Sequence, residues 1–564
     1  MRIRCSIIVL LVFAGWSFAK ESTDKPYAGS TQPPLAPAEA QKKFVVPPGF
    51  EVRLFAAEPD VANPVAMTFD EKGRLWVVEL YEYPNGAKPG TKGRDRVKVY
   101  WDTDGDGLAD KNIVFCDGLS LATAVLVGNG GVYVGQAPEL YFYPIVDDGP
   151  DGPKAGQRKT VLTGFGLHDR HELLNSFAWG PDGWLYMTQG VFTQSLVKDP
   201  ENPNDPGVKM NATVARYNTT TRKFELFGDG ISNQWGVDWD SGGNAFVSAC
   251  VVEHIWHVAP GGVYIRQGGQ PTIPYTYELL KPINKDRHRH HMAAYGGINV
   301  YQGNLFPDEY RGTIFMGNIH GNCIDHDQLT PDGASFSASD MRKKTDTGEW
   351  LEANDDWFRP VSQQVGPDGA LWIMDWYDRY PCYQNAQAPD LDRSRGRIWR
   401  VIYTGDNKGK NIPINPTGDL SKLSDGQLVD LLSHPNIWQR RQAQRLLSER
   451  KTKAKDQLLA LLQNGKSLEH RLAALWTLHS SDNLDEKTLD TIAADKEPAL
   501  RAWAVRFTGE RGESNANQIT RLKNLAADPS SHVRSFVAYA ARRLASPPTI
   551  PVVAALLQQP NTEK

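Results

Sequence analysis

A glycine followed three residues later by an aromatic that opens a β-rich run recurs along most of the chain. The copies are Gly73-Arg-Leu-Trp76, Gly130-Gly-Val-Tyr133, Gly183-Trp-Leu-Tyr186, Gly243-Asn-Ala-Phe246, Gly312-Thr-Ile-Phe315 and Gly369-Ala-Leu-Trp372. Successive aromatics stand 57, 53, 60, 69 and 57 residues apart, and four copies carry an aspartate before the glycine, as in Asp70 and Asp182. Each copy predicts a hairpin: an inner strand, a turn whose glycine is free to take positive φ, and a second strand. Several strands per unit at this regular spacing predict an all-β, six-bladed propeller over residues 44–404. The strand Phe50–Phe55 is placed to pair beside Arg397–Ile402 and remove the open edge. A sandwich of similar strands is the competing architecture, and the regular spacing argues against it.

From about residue 418 the pattern becomes helical. Arg441-Gln-Ala443, Arg471-Leu-Ala473, Arg501-Ala-Trp-Ala504 and Arg534-Ser-Phe-Val-Ala538 follow one another at 30, 30 and 33 residues, and Leu472, Leu475 and Trp476 share a face. This predicts an all-α, HEAT-like repeat domain over 418–564, joined by a linker at 405–417. Such a stack either presents a surface to a protein partner or caps the propeller. Stacked repeats contact mainly their own neighbours, so a chain ending near Asn415 is expected to keep its propeller folded.

The first residues read as an export signal. Arg2 and Arg4 precede the apolar run Ile7–Ala14, and Ser17-Phe18-Ala19 is a small-residue cleavage site. Residues 1–19 are therefore expected to be removed and 20–43 to be a linker, giving a periplasmic or secreted protein with no integral membrane segment. The run is shorter than the ~20 residues a spanning helix needs, and Cys5 lies before it rather than at a lipoprotein position.

With 564 residues, 40% hydrophobic and 23% charged, the chain has the balance of an ordinary globular protein and is too long for one core. A formal net charge of −4 excludes the strongly basic nucleic-acid binders. Cys116, Cys250, Cys323 and Cys382 follow no zinc spacing, and without a Cys-x-x-Cys-His run no covalent haem is expected. In an oxidising compartment these four could form one or two disulfides, in any of the pairings open to them.

Asp102-Thr-Asp104-Gly-Asp106-Gly-Leu108-Ala-Asp110 is the sharpest local motif. Alternating carboxylates at Asp102, Asp104, Asp106 and Asp110, wrapped by Gly107 and joined by the Leu108 carbonyl, supply the hard oxygens of a calcium loop. Ile113 stands where an EF-hand has its bidentate glutamate. A structural calcium is expected here, and none at the degraded Asp147-Asp-Gly-Pro-Asp151 run.

A second constellation, His168-Asp169-Arg170-His171-Glu172-Leu-Leu-Asn175-Ser176, leads into the third blade's inner strand, at the mouth of the central channel. So many charged and polar groups in one short run are costly to keep without a purpose. His171, Asp169 and Glu172 are the candidate catalytic groups, with His168, Arg170 and Asn175 as binding residues. Asn233 and Trp235 from the fourth blade, and Asn318 and His320 from the fifth, are expected at the same mouth. His254 and His257 should lie on opposite faces of a strand, and His288, His290 and His291 read as a solvated loop ahead of a metal site or a lid.

Gly49-Phe-Glu-Val-Arg-Leu-Phe-Ala-Ala-Glu58-Pro, Leu173-Leu-Asn-Ser-Phe-Ala-Trp-Gly-Pro-Asp-Gly-Trp184, Trp357-Phe-Arg-Pro and Asn318-Ile-His-Gly-Asn322 resemble the membrane-bound dehydrogenase family of planctomycetes and verrucomicrobia. HEAT-like repeats commonly follow that domain. The family is itself similar to soluble quinoprotein glucose/sorbosone dehydrogenases. The resemblance implies pyrroloquinoline quinone at the channel mouth, a sugar or alcohol substrate, and His171 as the base that takes the hydroxyl proton. An Arg-Asn-Pro-Gln-Gly type of motif holds the quinone in those enzymes; the matching run here is Ser232-Asn233-Gln234-Trp235-Gly236, without the arginine. Two other readings stand beside it: a non-catalytic, calcium-stabilised propeller binding carbohydrate or protein, and a calcium-dependent hydrolase or lactonase.

Overall fold

The structure is a computed structural model that describes residues 29–250, 252–272, 278–284, 294–341, 348–382, 391–544 and 546–559. The export signal and the His288–His291 run lie outside those residues.

The glycine–aromatic repeats become hairpins because of the aspartate before them. Asp70 accepts from the backbone N–H groups of Lys72 and Arg74 (both 3.0 Å) and from Trp76 Nε1 (2.8 Å). In the third blade Asp182 takes Trp184 N (3.2 Å) and Tyr186 OH (2.7 Å); in the sixth, Asp368 takes Ala370 N (3.1 Å) and Trp372 Nε1 (3.0 Å). The carboxylate thus satisfies the turn and the buried aromatic together, while Gly73 and Gly183 take φ of +76° and +79°. An arginine completes the unit: Arg74 on Asp70 (2.7 Å), Arg216 on Asp182 (2.5 Å) and Arg400 on Asp368 (2.7 Å).

Six sheets follow in chain order. The first holds Pro64–Phe69, Leu75–Glu79, Asp95–Trp101 and Lys111–Leu119, and the second Ala122–Gly128, Gly131–Gln136, Glu139–Gly149 and Lys159–Thr163. The third holds Asn175–Trp179, Leu185–Gln189, Thr213–Tyr217 and Phe224–Ile231, and Val263–Arg266 adds to its edge in parallel. The fourth has Asn233–Trp239, Ala245–Cys250 and Ile255–Val258, and the fifth runs from Tyr295–Val300 to Ser335–Asp340. In the sixth, Phe50–Ala57 pairs antiparallel with Arg397–Tyr403, Phe50 opposite Tyr403, beside Leu371–Asp375 and Pro360–Val365. The innermost strand of every sheet packs on those of both neighbours, so the ring closes through a strand from the other end of the domain.

The described residues of both expected linkers are held against the propeller. Pro37–Lys43 is a helix, and Leu35 exchanges hydrogen bonds with the Tyr377 hydroxyl (2.8 and 3.2 Å). Between the domains, Asn411 Nδ2 donates to Gly105 O (2.7 Å) and Asn415 Nδ2 to Lys72 O (2.6 Å).

The all-helical region runs from Asp425–Leu431 to Ile550–Leu557, with helices packed in successive pairs. Side chains cap several of them, including Ser424, Asn436, Ser467, Asp485 and Asn515. The repeated arginines act between repeats: Arg501 donates to Asp495 O (2.8 Å) and pairs with Asp528 (2.6 Å). This region lies across the face of the propeller that carries the hairpin turns. Helix Ile437–Glu449 alone reaches four blades. Gln442 donates to Phe69 O (3.1 Å), Gln444 to Pro181 O (2.8 Å), Arg441 to Asp238 (2.6 Å), and Asn436, its cap, to Gly366 O (3.0 Å). At Gly243 a Cβ would come within 2.6 Å of Trp503 and 2.8 Å of Trp476, so the tail's indoles lie directly on the fourth turn.

A buried ion cluster fastens the two parts. Arg216 bridges Asp182 (2.5 Å) and Glu510 (2.8 Å), and Arg506 pairs with Asp182 and with Glu510 (2.9 Å). These four side chains are at most 6% exposed. Between the two readings left open by sequence, the tail is a cap. The premise that such a stack contacts mainly its own neighbours does not hold, because the propeller and the helices share one apolar cluster, including Phe69 and Trp372 on one side and Leu447 and Trp476 on the other.

Candidate functional site

The cap decides where a site can be. Trp438, Arg441, Gln442 and Arg445 close the hairpin-turn end of the central channel, leaving a narrow space of about 160 Å³ between them and the inner strands. At the opposite end the channel widens into a cavity of about 380 Å³, within the ~300–1,000 Å³ usual for small-molecule sites. The connections into the inner strands and out of the second strands line it, since those chain segments face away from the turns.

Asp169, Arg170 and His171 line this cavity, as do Asn233, Trp235 and His320. Asp169 is held in place by its N–H on Thr193 Oγ1 (3.1 Å), and its Oδ1 meets His171 Nδ1 at 2.8 Å and His171 N at 2.9 Å. The Tyr83 ring stands edge-on to the imidazole, with centroids 5.7 Å apart. Cys382, partly buried, lines the same cavity. Burial opposes the charge on His171, yet Asp169 and Cys382 outweigh it and push the imidazole up to about 10. A ring raised in this way favours its charged form at neutral pH.

The other expected residues do not line the cavity. His168 is exposed outside it. Glu172 is buried behind the wall, accepting from Phe192 N, and burial, reinforced by Asp169, pushes it up to about 7. Asn175 ties the third blade to the fourth, donating to Leu173 O (2.8 Å) and Gln234 O (3.2 Å). Asn318 holds a turn by accepting from Gly321 N (2.8 Å) and donating to Asp325 (3.3 Å). Ser232, standing where the quinoprotein motif has arginine, is buried and donates to Gln267.

Sequence reading missed Arg359, Cys250, Cys382, Tyr295, Trp376 and Tyr380, which share the cavity. Arg359 occupies the sixth blade's counterpart of the Arg170 connection, immediately before strand Pro360–Val365, and that position was its only signal. It is 4% exposed, donates to the Phe358 and Arg379 carbonyls (3.0 and 3.1 Å), and keeps Nε buried without a partner. Neither Arg359 nor Arg170 forms an ion pair among the described residues, and burial lowers the pKa of both. A buried Arg359, with the carboxylates of Asp378 and Asp375 near it but no ion pair among the described residues, and a half-buried Arg170, both beside indole and phenol faces, suit a flat ligand bearing anionic groups.

The calcium-like loop lies elsewhere, at the rim of the first blade, where Arg400 donates to Gly107 O (3.4 Å). Asp102, Asp104 and Asp106 bring ligand oxygens within 4.8 Å of one another. Asp110 turns instead to Thr103 N (3.0 Å), and the Leu108 side chain is exposed. Asp148, in the degraded second run, pairs with Arg74 (2.7 Å) and Lys72 (2.6 Å) across two blades. His257 is buried with Nδ1 on Ser335 Oγ (2.9 Å), His254 is buried and stacked on Tyr295, and all four cysteines are free thiols.

Residues 36–405 match the family described as "Domain of unknown function (DUF7133)". The chain belongs to that family. No curated protein matches it. Among solved structures it is similar to a glucose dehydrogenase, at 16% identity over 62% of this chain and 98% of that one (TM-score 0.38). It is also similar to the pyranose dehydrogenase PQQ domain from Coprinopsis cinerea, at 13% identity over 64% and 97% (TM-score 0.40). A third is the soluble aldose sugar dehydrogenase from Escherichia coli, at 15% identity over 62% and 99% (TM-score 0.34). These likenesses are too distant to carry chemistry, and the propeller stands on this chain's own strand order.

Proposed function

We propose that this is an exported enzyme that oxidises a small sugar or alcohol with a quinone cofactor at the open mouth of its propeller. The observation that carries the reading is that Arg170 and Arg359 both line an aromatic-walled cavity, with Arg359 Nε buried there without a hydrogen-bond partner. Pyrroloquinoline quinone, flat and rich in carboxylates, fits that donor set: Arg170 and Arg359 would hold carboxylates, and Trp235 or Trp376 would cover a ring face. When bound, it supplies the hydride acceptor. The chain's own part is to orient the substrate against the His171 ring and to keep water from the channel side, where the cap closes it.

His171, charged at neutral pH, donates a hydrogen bond to a substrate oxygen, and it can take a proton only after losing its own. Dye-linked oxidation across a panel of sugars and alcohols should therefore rise with pH toward about 10. A rate that is flat from pH 6 to 10, or no turnover with any substrate, contradicts the reading. No helix among the described residues is long and apolar enough to cross a membrane. Export rests on the sequence of residues 1–19.

A further inference from the structure

We propose that the seam between the helical cap and the third blade binds a neutral oligosaccharide. The site lies on the capped side of the propeller, needs no quinone, and does not rest on the oxidation proposed for the mouth.

A cavity of about 250 Å³ opens where helices Ile437–Glu449 and Leu468–Ser480 cross the turns of the third and fourth blades, and Trp179, Trp239 and Trp476 wall it. At Gly183, Thr219, Thr220, Lys451 and Ser480 it shares its lining with a second cavity of about 500 Å³ that continues along the third blade. Trp239 and Trp476 are 1% and 8% exposed, and the Nε1 of each is buried without a hydrogen-bond partner. Two neighbouring indoles are satisfied within the fold: Trp179 Nε1 donates to Val127 O (2.9 Å) and Trp503 Nε1 to Gly242 O (2.8 Å). A buried indole N–H ordinarily finds an acceptor. The seam thus holds two donors that no described residue accepts from.

Charge argues against an ionic ligand. Every cation of the first cavity already has a carboxylate: Arg440 on Glu469 (3.2 Å), Arg441 on Asp238 (2.6 Å), Arg445 on Glu71 (2.6 Å) and Lys451 on Asp482 (2.6 Å). Asp240 is engaged by its own turn, accepting from Asn244 N (2.8 Å) and Gly242 N (2.9 Å). What is left to meet a ligand is indole surface, the two N–H groups and hydroxyls, among them Thr220 and Ser241. A hydrocarbon would strand those hydroxyls away from water. A sugar satisfies both kinds of surface: its C–H faces lie on indole, its oxygens accept from Trp239 and Trp476, and its hydroxyls exchange hydrogen bonds with Thr220 and Ser241. Asn129 ties the wall together, donating through Nδ2 to Thr219 Oγ1 (3.1 Å) and through its N–H to Glu449 on the cap (2.7 Å).

Titration calorimetry of the full chain without quinone tests the site, with maltotriose, cellotriose and xylotriose as probes and a galacturonic acid trimer as their anionic counterpart. At least one neutral trimer should bind saturably, and the uronate more weakly. Trp476→Phe keeps an aromatic ring and removes the N–H, so it should weaken that binding roughly two- to tenfold, the worth of one hydrogen bond. Thr220→Val, at an exposed position that leaves the core intact, should weaken it in the same direction. Bound sugar should also slow hydrogen exchange in helix Leu468–Ser480. Binding lost in Arg170→Gln but kept in Trp476→Phe and Thr220→Val would put the sugar at the mouth, overturning the seam site while leaving the oxidation standing. No saturable binding of any of the three neutral trimers, or a uronate that binds as tightly, overturns it as well.

Discussion

Replacing Arg506 by methionine removes one cation from the cluster that fastens the cap to the third blade. Its guanidinium is 1% exposed, pairs with Asp182 and Glu510, and lies 4.4 Å from the centroid of the Trp503 ring. Removing one partner of a buried pair leaves an uncompensated charge and costs roughly 3–5 kcal/mol. Here Arg216 still reaches both carboxylates, at 2.5 and 2.8 Å, so the lower end of that range applies. With a urea dependence of ~3 kcal/mol/M, ~3 kcal/mol moves the midpoint down by about 1 M. Tryptophan fluorescence follows it directly, because Trp476 and Trp503 lie at the interface. Adding Asp182→Asn relieves the stranded charge, so the double variant should lose less than the sum of the single losses, by about 0.5–3 kcal/mol. A midpoint unchanged in Arg506→Met, or strict additivity in the pair, would refute a shared buried cluster.

Ending the chain near Asn415 should yield a propeller that melts well below the full chain or aggregates, since it uncovers the faces that pack Trp438 and Trp503; equal melting would show the cap to be dispensable. Acid should loosen the cap through His479, stacked on Phe507 at 3.8 Å and pushed down to about 4 by burial. The unfolded ring takes its proton at higher pH, so this stability is complete above about 6.5 and is lost as pH falls toward 4. His479→Phe should shrink the drop in melting temperature between pH 7 and pH 5, and an unchanged drop would exclude this residue as its source. Calcium should raise the melting temperature of the wild type, by the equivalent of about 2.7 kcal/mol at a hundredfold excess over Kd. Asp102→Ala with Asp106→Ala should abolish that rise, whereas identical melting in calcium and in chelator would leave the loop without a stabilising ion.

The ring and its closing strand were legible because their signals are local. An aspartate, a glycine and an aromatic within seven residues specify one hairpin, as Asp70, Gly73 and Trp76 show. Arg74 completes the first unit from within its own hairpin, but Arg216 and Arg400 complete theirs from a strand more than thirty residues away and carry no mark in sequence. Capping was one of two readings of the tail, and sequence could not choose it for a different reason. Gln442, Gln444 and Arg445 look like a solvated helix face, yet Gln442 and Gln444 satisfy turn carbonyls and Arg445 pairs with Glu71 at 2.6 Å. At the mouth, the run from His168 to Glu172 divides by direction: its middle three residues line the cavity, His168 points outward and Glu172 is buried behind. Arg359 and Cys382 reach that wall from the last blade, an adjacency created only when the ring closes.

Binding of pyrroloquinoline quinone to the full-length protein, followed by the quinone absorbance and by quenching of tryptophan fluorescence, tests the open mouth as the ligand site most directly. Each arginine stands for one charge-assisted contact of about 1.5–3 kcal/mol. Arg170→Gln and Arg359→Gln should each weaken saturable binding by roughly ten- to a hundredfold, while Arg441→Gln, at the capped end of the channel, should leave it unchanged. No saturable binding to the wild type, or binding that both mouth variants retain, would contradict the account.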